Sequence, residues 1–437
     1  VSLPREPGLI RRGVFWLLLL GPLFFLSYGL ANHYTAGRSD VGSLVFGWEH
    51  GMPLWPWTII PYWSIDLLYG LSFLLPRTRQ EMDRHALALL SAQVISVSCF
   101  LLWPLRFTFE RPDLDGLFGW LFDVLMGFDK PFNQAPSLHI ALLVVIWTMF
   151  ARHVQHQPWR WLMHGWMALI GVSVLTTWQH HFIDVPTGAL AGFACLWLWP
   201  CQGRLPFQAA HLARDAKRWK IAGCYAVGAL LCALAAVALG GTGLWLSWPA
   251  VSLGLVALNY AVFGAGGFQK GSDGHLSNAG RWLLAPYLAG TWLNSRMWTR
   301  RHPQADEVCD GVYLGRIPGR GEGEQFAAIV DLCAELPCTV LATQDYLHFP
   351  TLDLIAPDGI LLQQAANAIE HCHAKGPVLV CCALGYSRSA SAVAAWLVVT
   401  GRCDDAQQAE SLIRKARPGI VLRNAHRQAL QQLGAQP

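Results

Sequence analysis

Long apolar stretches fill the chain up to about residue 266, and after about residue 300 they give way to short periodic segments. Uninterrupted apolar runs lie at 13–33, 55–75, 85–105, 136–150, 161–178, 185–199, 221–240 and 244–264. Since roughly 20 apolar residues cross a bilayer core as a helix, these runs predict about eight membrane spans. The runs at 136–150 and 185–199 are short and carry polar residues near one end, which predicts tilt or burial against neighbours. The first run is long and lacks a small-residue cleavage site, so it is expected to be a span rather than a cleaved signal. Beyond residue 302 a strand-like run at 377–381 precedes a helix-like run at 389–400, the pattern of an α/β domain. Between the halves, 267–301 begins with turn residues and continues with Trp282, Trp292 and Trp298 among Arg281, Arg296, Arg300 and Arg301. That mixture predicts a helix lying in the interface rather than a ninth span. The expected organisation is a polytopic α-helical membrane bundle at 1–200, two further spans within 201–266, an interfacial linker at 267–301 and an α/β domain at 302–437.

Composition agrees with the pattern: 53% of residues are hydrophobic and only 14% charged, where soluble domains carry nearer a quarter charged. Charge then sets the orientation. Arg5, Arg11, Arg12, Arg77, Arg79, Arg84, Arg152, Arg160, Arg204, Arg214, Lys217, Arg218 and Lys220 fall on one side of the predicted membrane. Arg38, Arg106, Arg111 and Lys130 fall on the other. The positive-inside bias therefore predicts an integral inner (plasma) membrane protein whose N-terminus and C-terminal domain are cytoplasmic. No predicted outer loop holds any of the 12 cysteines, so no disulfide framework is implied. Many Trp residues near the span ends (Trp55, Trp57, Trp63, Trp103, Trp178, Trp199) fit an interfacial belt. The net charge of +4, without a nucleic-acid motif, points to anionic membrane phospholipids as partners and not to nucleic acid. No Cys/His spacing suits a metal, and no cofactor is expected.

The densest chemistry lies in Val380-Cys-Cys-Ala-Leu-Gly-Tyr-Ser-Arg-Ser389. A loop between a strand and a helix N-terminus aims backbone N–H groups and the helix dipole at one point, which suits a phosphate dianion. The same field lowers the pKa of a neighbouring thiol, so Cys382 is the candidate nucleophile. Arg388 can clamp two phosphate oxygens, with Gly385 and Ser387 lining the loop and Ser389 beside the thiol. This stretch, with Asp310-Gly-Val-Tyr-Leu-Gly-Arg316 before it and Ala416-Arg-Pro-Gly-Ile420 after it, resembles the dual-specificity branch of the protein tyrosine phosphatases. The resemblance implies an upstream Asp as general acid: Asp353, with Asp358 as the rival and otherwise a turn or helix cap. It also implies phosphomonoester hydrolysis on a phospholipid or phosphoprotein. Cys381 stands where the family usually has His, which removes a support of the thiolate and places a second thiol beside the first.

Three further motifs converge on the predicted outer face: Phe109-Glu-Arg-Pro112, Ala135-Pro-Ser-Leu-His139 and Gln179-His-His-Phe-Ile-Asp184. His180 and Asp184 share a face at helical spacing, and a carboxylate on one ring nitrogen leaves the other free as nucleophile or base. These motifs resemble the type-2 phosphatidic acid phosphatase superfamily, a six-helix lipid phosphatase fold, over roughly residues 10–200. The resemblance implies that His180 attacks phosphorus, Asp184 orients it, His139 protonates the leaving oxygen and Arg111 holds phosphate. Pro104 replaces the family's Lys, where Arg106 is the substitute, and Val174 replaces its Arg. Leu138 within the Pro-Ser-x-His motif is closer to the inositol phosphorylceramide and sphingomyelin synthase branch, which transfers a headgroup to an alcohol. Asp66, inside a predicted span, is a further candidate for function. The reading is a bifunctional membrane phosphatase; the alternative is one catalytic half with the other a phosphate-binding regulatory module.

Overall fold

A computed structural model describes residues 5–433. The chain forms two compact units, one running to Leu205 and including Leu239–Leu244, the other made of Pro206–Ala238 and Trp245 onward. The helices of 206–266 and the 267–301 segment thus belong to the same unit as the α/β domain, rather than standing as separate regions.

The first unit is helical: α1 (Leu9–Ala36), α2 (Ile59–Ser72), α3 (Arg79–Leu102), α4 (Gly116–Phe128), α5 (Leu138–His153), α6 (Gln157–Thr176) and α7 (Asp184–Leu198). Helix α5 sits at the centre and packs on α2, α3, α6 and α7, while α1 lies along α3. The α5–α7 contact is close because α7 presents Gly188 and Gly192, four apart, to the α5 backbone. A Cβ at Gly188 would stand 2.5 Å from the Ser137 carbonyl oxygen, and one at Gly192 2.8 Å from that of Ala141. Small residues at this spacing let two helix backbones approach. Ser137 caps α5 by accepting from the Ile140 N–H at 3.3 Å, and Thr78 caps α3 by accepting from the Glu81 N–H at 3.1 Å.

In the second unit, α8 (Ala216–Leu239) and α9 (Ser247–Leu258) lead through a π-turn (Asn259–Phe263) and a short 3-10 turn (Gly264–Phe268) into α10 (Asn278–Leu283) and α11 (Ala285–Trp298). Then follow β1 (Asp306–Cys309), β2 (Val312–Arg316), β3 (Ala328–Cys333), β4 (Asp345–Thr351), α12 (Gly359–His373), β5 (Val378–Cys382), α13 (Arg388–Val399), α14 (Ala406–Ala416) and α15 (Asn424–Leu433). The sheet order is β1-β2-β5-β3-β4, with β1 antiparallel and the rest parallel. The central strand β5 is buried throughout, as a parallel strand covered on both faces must be. Leu362, Ala366, Ile369, Val393 and Trp396 of α12 and α13 build the core on one face.

The expected linker at 267–301 is two helices tied to this domain. Buried Lys270 donates to buried Asp331 at 2.5 Å, the Ser295 hydroxyl donates to the Ala383 carbonyl at 2.5 Å, and Arg316 donates to Thr299 at 2.8 Å. Among the described helical stretches, four are long and apolar enough to cross a membrane: Leu9–Ala36, Arg79–Leu102, Ala216–Leu239 and Gly241–Phe268. The run expected to span at 55–75 forms a helix of 14 residues, Ile59–Ser72, and the short runs at 136–150 and 185–199 form helices of 16 and 15 residues, Leu138–His153 and Asp184–Leu198. The run at 161–178 forms a helix of 20 residues, Gln157–Thr176. The segment between 105 and 136 holds α4, an apolar helix of 13 residues, short of the roughly 20 that cross a bilayer core.

Candidate functional site

The loop after β5 is the C-terminal site. Its backbone turns at Gly385, which has a φ of 75° and where a Cβ would stand 2.4 Å from the Gly315 carbonyl, so no side chain fits. The turn aims backbone at the thiol: the Gly385 N–H donates to Cys382 Sγ at 3.3 Å, and the Ser389 hydroxyl donates to it at 3.2 Å. Helix α13 starts at Arg388, so its N-terminal dipole faces the same point. Burial alone would raise the Cys382 thiol; the Arg388 charge, the Ser389 hydroxyl and the backbone N–H groups of Ser389 and Leu384 outweigh it and hold the thiol below its ordinary range. Ser387 turns its hydroxyl to His426 Nε2 at 3.0 Å, so its share in the loop is its backbone.

Arg388 is held by a residue that sequence reading passed over. Glu335, fully buried at the end of β3, takes the guanidinium in a fork at 2.7 and 2.9 Å. Burial would raise the Glu335 carboxyl, and Arg388 pulls it below the ordinary range, so the pair is ionic. Asp353 Oδ1 also accepts from Arg388, at 3.0 Å. Asp353 lies in the loop after β4, a third exposed. The loss of solvent around it, reinforced by the Glu335 charge and opposed by Arg388, raises its carboxyl above the usual range, which suits an acid. Asp358, the rival, caps α12 by accepting from the Leu361 N–H at 2.8 Å. Cys381 does not sit beside Cys382 in space: strand alternation sends it to the opposite face of the sheet, among Cys333, Leu336 and Cys338. Burial, first, and the Cys338 thiol push its pKa well above the ordinary value.

In the first unit the three outer motifs meet. His180 Nδ1 bonds Asp184 Oδ2 at 3.1 Å, and its Nε2 bonds the Ser137 hydroxyl at 3.1 Å. Ser137 opens the helix that carries His139, and its N–H donates to the Asp184 carbonyl at 3.1 Å. His139 is half-buried and stacks on Tyr62 with ring centroids 4.3 Å apart; its Nε2 is buried with no partner among the described residues. Arg111 donates to the Thr177 and Trp178 carbonyls at 3.1 and 2.9 Å, just ahead of His180. Arg106 is exposed, and Asp66 is on the exposed side of α2. Sequence reading missed two buried carboxylates here. Glu49 accepts from the Phe182 N–H and bonds His181 Nδ1 at 3.0 Å. Asp129 accepts from the Tyr28 and Tyr62 hydroxyls at 2.6 and 3.1 Å. No group of side chains suited to a metal ion occurs among the described residues.

Residues 313–436 match the family model described as the dual specificity phosphatase catalytic domain. Solved structures similar to this part include Tk-PTP in the active form, at 27% identity and TM-score 0.29 over 31% of this chain and 99% of that one. PTPMT1 in complex with PI(5)P matches at 20% identity and TM-score 0.28, over 30% of this chain and 94% of its own. Human DUSP28 matches at 24% identity and TM-score 0.28, over 30% and 94%. No curated protein matches the chain. The C-terminal part is thus a dual-specificity phosphatase-like catalytic domain, and it supports Cys-dependent phosphoester hydrolysis.

Proposed function

We propose that the chain is a bifunctional integral membrane phosphatase, with a cytoplasmic Cys382 site acting on phosphomonoesters and a second, His180-dependent site acting on lipid phosphate at the outer face. The observation that carries the first activity is the Cys382 thiol held low by Arg388, Ser389 and loop N–H groups. Cys382 Sγ attacks phosphorus while Arg388 and the loop N–H groups bind the non-bridging oxygens. The P–O bond to the leaving group breaks as Asp353 gives that oxygen its proton. The resulting carboxylate then takes a proton from water, whose oxygen attacks the phosphocysteine and releases phosphate and the thiolate. Glu335 keeps the guanidinium plane fixed through both steps.

For the second activity, the supporting observation is the chain of contacts Asp184–His180–Ser137, with half-buried His139 in the first turn of α5. The carboxylate on Nδ1 orients the ring, Nε2 attacks phosphorus, and His139 gives a proton to the leaving oxygen. Water or a lipid alcohol then takes the phosphoryl or phospho-headgroup from His180. The Leu138 form of the Pro-Ser-x-His motif favours an alcohol acceptor. The test is hydrolysis by purified protein in EDTA. Cys382→Ser is expected to remove aryl phosphate hydrolysis and leave lipid dephosphorylation through His180. His180→Ala is expected to do the reverse. Aryl phosphate turnover at the wild-type rate by Cys382→Ser would end the first assignment, and His180→Ala with full outer-face lipid turnover would end the second.

A further inference from the structure

We propose that the Cys382 site works at the membrane surface on the phosphomonoester headgroup of a membrane lipid, with Lys217 at the root of α8 forming part of its rim. The inference rests on the reading of the Cys382 loop as a phosphatase and narrows its substrate.

Three observations carry it, all within the second unit. First, the apolar helices grip the acid loop. Lys217 Nζ donates to the carbonyl of Leu354, next to Asp353, and the Tyr260 hydroxyl donates to the carbonyl of Asp353 itself at 3.0 Å. Leu354 has a φ of 62°, a conformation that leucine rarely takes, and these two bonds hold the loop on either side of it. The Lys217 charge also acts on Asp353 and on His426, the partner of Ser387, so it stands near both the acid loop and the phosphate loop.

Second, α8 becomes apolar at once. From Ile221 to Leu239 it holds no charged residue, and only 11% of its apolar window is buried by protein. Ile221 lies four residues after Lys217, about 6 Å along the axis at the rise of an α-helix. A helix surface that apolar needs lipid around it, so the acid loop lies about one helical turn from the hydrocarbon boundary. Third, four large apolar side chains of the described phosphatase part are exposed, and apart from Leu341, which precedes β4, they lie on the segment that follows β4 or beside the phosphate loop. Leu354 is 54% exposed beside the acid, Ile360 76% exposed at the start of α12, and Val421 48% exposed with its N–H on the Tyr386 carbonyl of the phosphate loop. Apolar tips beside Lys217 and Arg218 form a surface that enters the headgroup layer and attracts anionic lipid. A lipid brings its phosphate to this cleft already confined to the plane; a soluble phosphopeptide would have to displace the membrane.

The test uses full-length protein in phosphatidylcholine vesicles, counting only turnover that Cys382→Ser abolishes. The probes are phosphatidic acid, phosphatidylglycerophosphate and phosphatidylinositol monophosphates in the vesicles, their water-soluble headgroup phosphates, phosphotyrosine and phosphothreonine peptides, and an aryl phosphate. Confinement to the surface should give at least one lipid a kcat/KM on the order of 100-fold above its free headgroup phosphate. Ile360→Asp and Lys217→Glu should each lower the ratio of lipid to aryl phosphate turnover about tenfold, through lost apolar insertion and lost attraction. Phosphopeptides preferred over every lipid, or a ratio unmoved by both substitutions, would overturn the lipid assignment while leaving the cysteine chemistry intact. Absence of aryl phosphate turnover would instead overturn the phosphatase reading, and the lipid assignment with it.

Discussion

Cys382 is buried, which by itself disfavours a thiolate, yet its surroundings reverse the sign. Arg388 supplies most of that reversal, and Arg388 is where it is because Glu335 holds it. Glu335→Gln keeps the shape and removes the charge. Losing charge-assisted bonds of about 1.5–3 kcal/mol should lower kcat/KM for an aryl phosphate about 10- to 100-fold. Steady-state kinetics on purified protein reads this, and an unchanged rate would make the pair purely structural. The pH profile follows from two opposite shifts. The thiol must be deprotonated, and it lies below its usual value of about 8.5, so the rising limb should move to lower pH. The acid must be protonated, and Asp353 lies above the usual value of about 4, so the falling limb should move to higher pH. Asp353→Asn should erase the falling limb and cost about 100-fold on an alkyl phosphate, but far less on a good leaving group. The loop that carries Cys382 and Arg388 was legible in the chain because a strand, a loop and a helix follow one another there. Glu335 was not, because only the pairing of β3 with β5 brings it across 53 positions to Arg388.

Helices carry the next level of the account. Asp358 caps α12 by accepting from the Leu361 N–H. Asp358→Ala should therefore lower stability by about 1 kcal/mol in denaturant unfolding while leaving the pH profile unchanged. A lost falling limb in that variant would move the acid to Asp358. In the first unit, Gly188 and Gly192 let α7 approach α5, and that approach places His180 against Ser137. Gly188→Leu should abolish His180-dependent lipid turnover and spare aryl phosphate hydrolysis by the other unit. Equal loss of both would mean general unfolding. The chain announces these glycines by their spacing, although a hydropathy reading counts them only as apolar. Hydropathy located the long helices well, since nothing interrupts them. It overextended the helix at 55–75, placed those at 136–150 and 185–199 close to Leu138–His153 and Asp184–Leu198, and missed α4, whose 13 residues fall below any span window. The aromatic and arginine mixture of 267–301 predicts one helix and forms two, α10 and α11, and its ties to the sheet through Lys270 and Ser295 needed partners far along the chain.

For the whole molecule, the Lys and Arg bias predicts that a reporter fused after the C-terminus behaves as cytoplasmic, and that a cysteine at position 113 is labelled from outside. External labelling of the C-terminal domain would reverse the orientation. The two proposed phosphoryl-transfer sites, of different chemistry, make a sharper demand. Each proposes a covalent enzyme intermediate on a different atom, and the two differ in lability: phosphohistidine is lost in acid. The most direct measurement is to quench wild-type protein turning over a labelled phospholipid phosphomonoester, digest it and map the label. The account predicts two adducts, one at Cys382 that Cys382→Ser removes and an acid-labile one at His180 that His180→Ala removes. Label confined to Cys382, with none at His180 under any quench, would contradict the bifunctional reading.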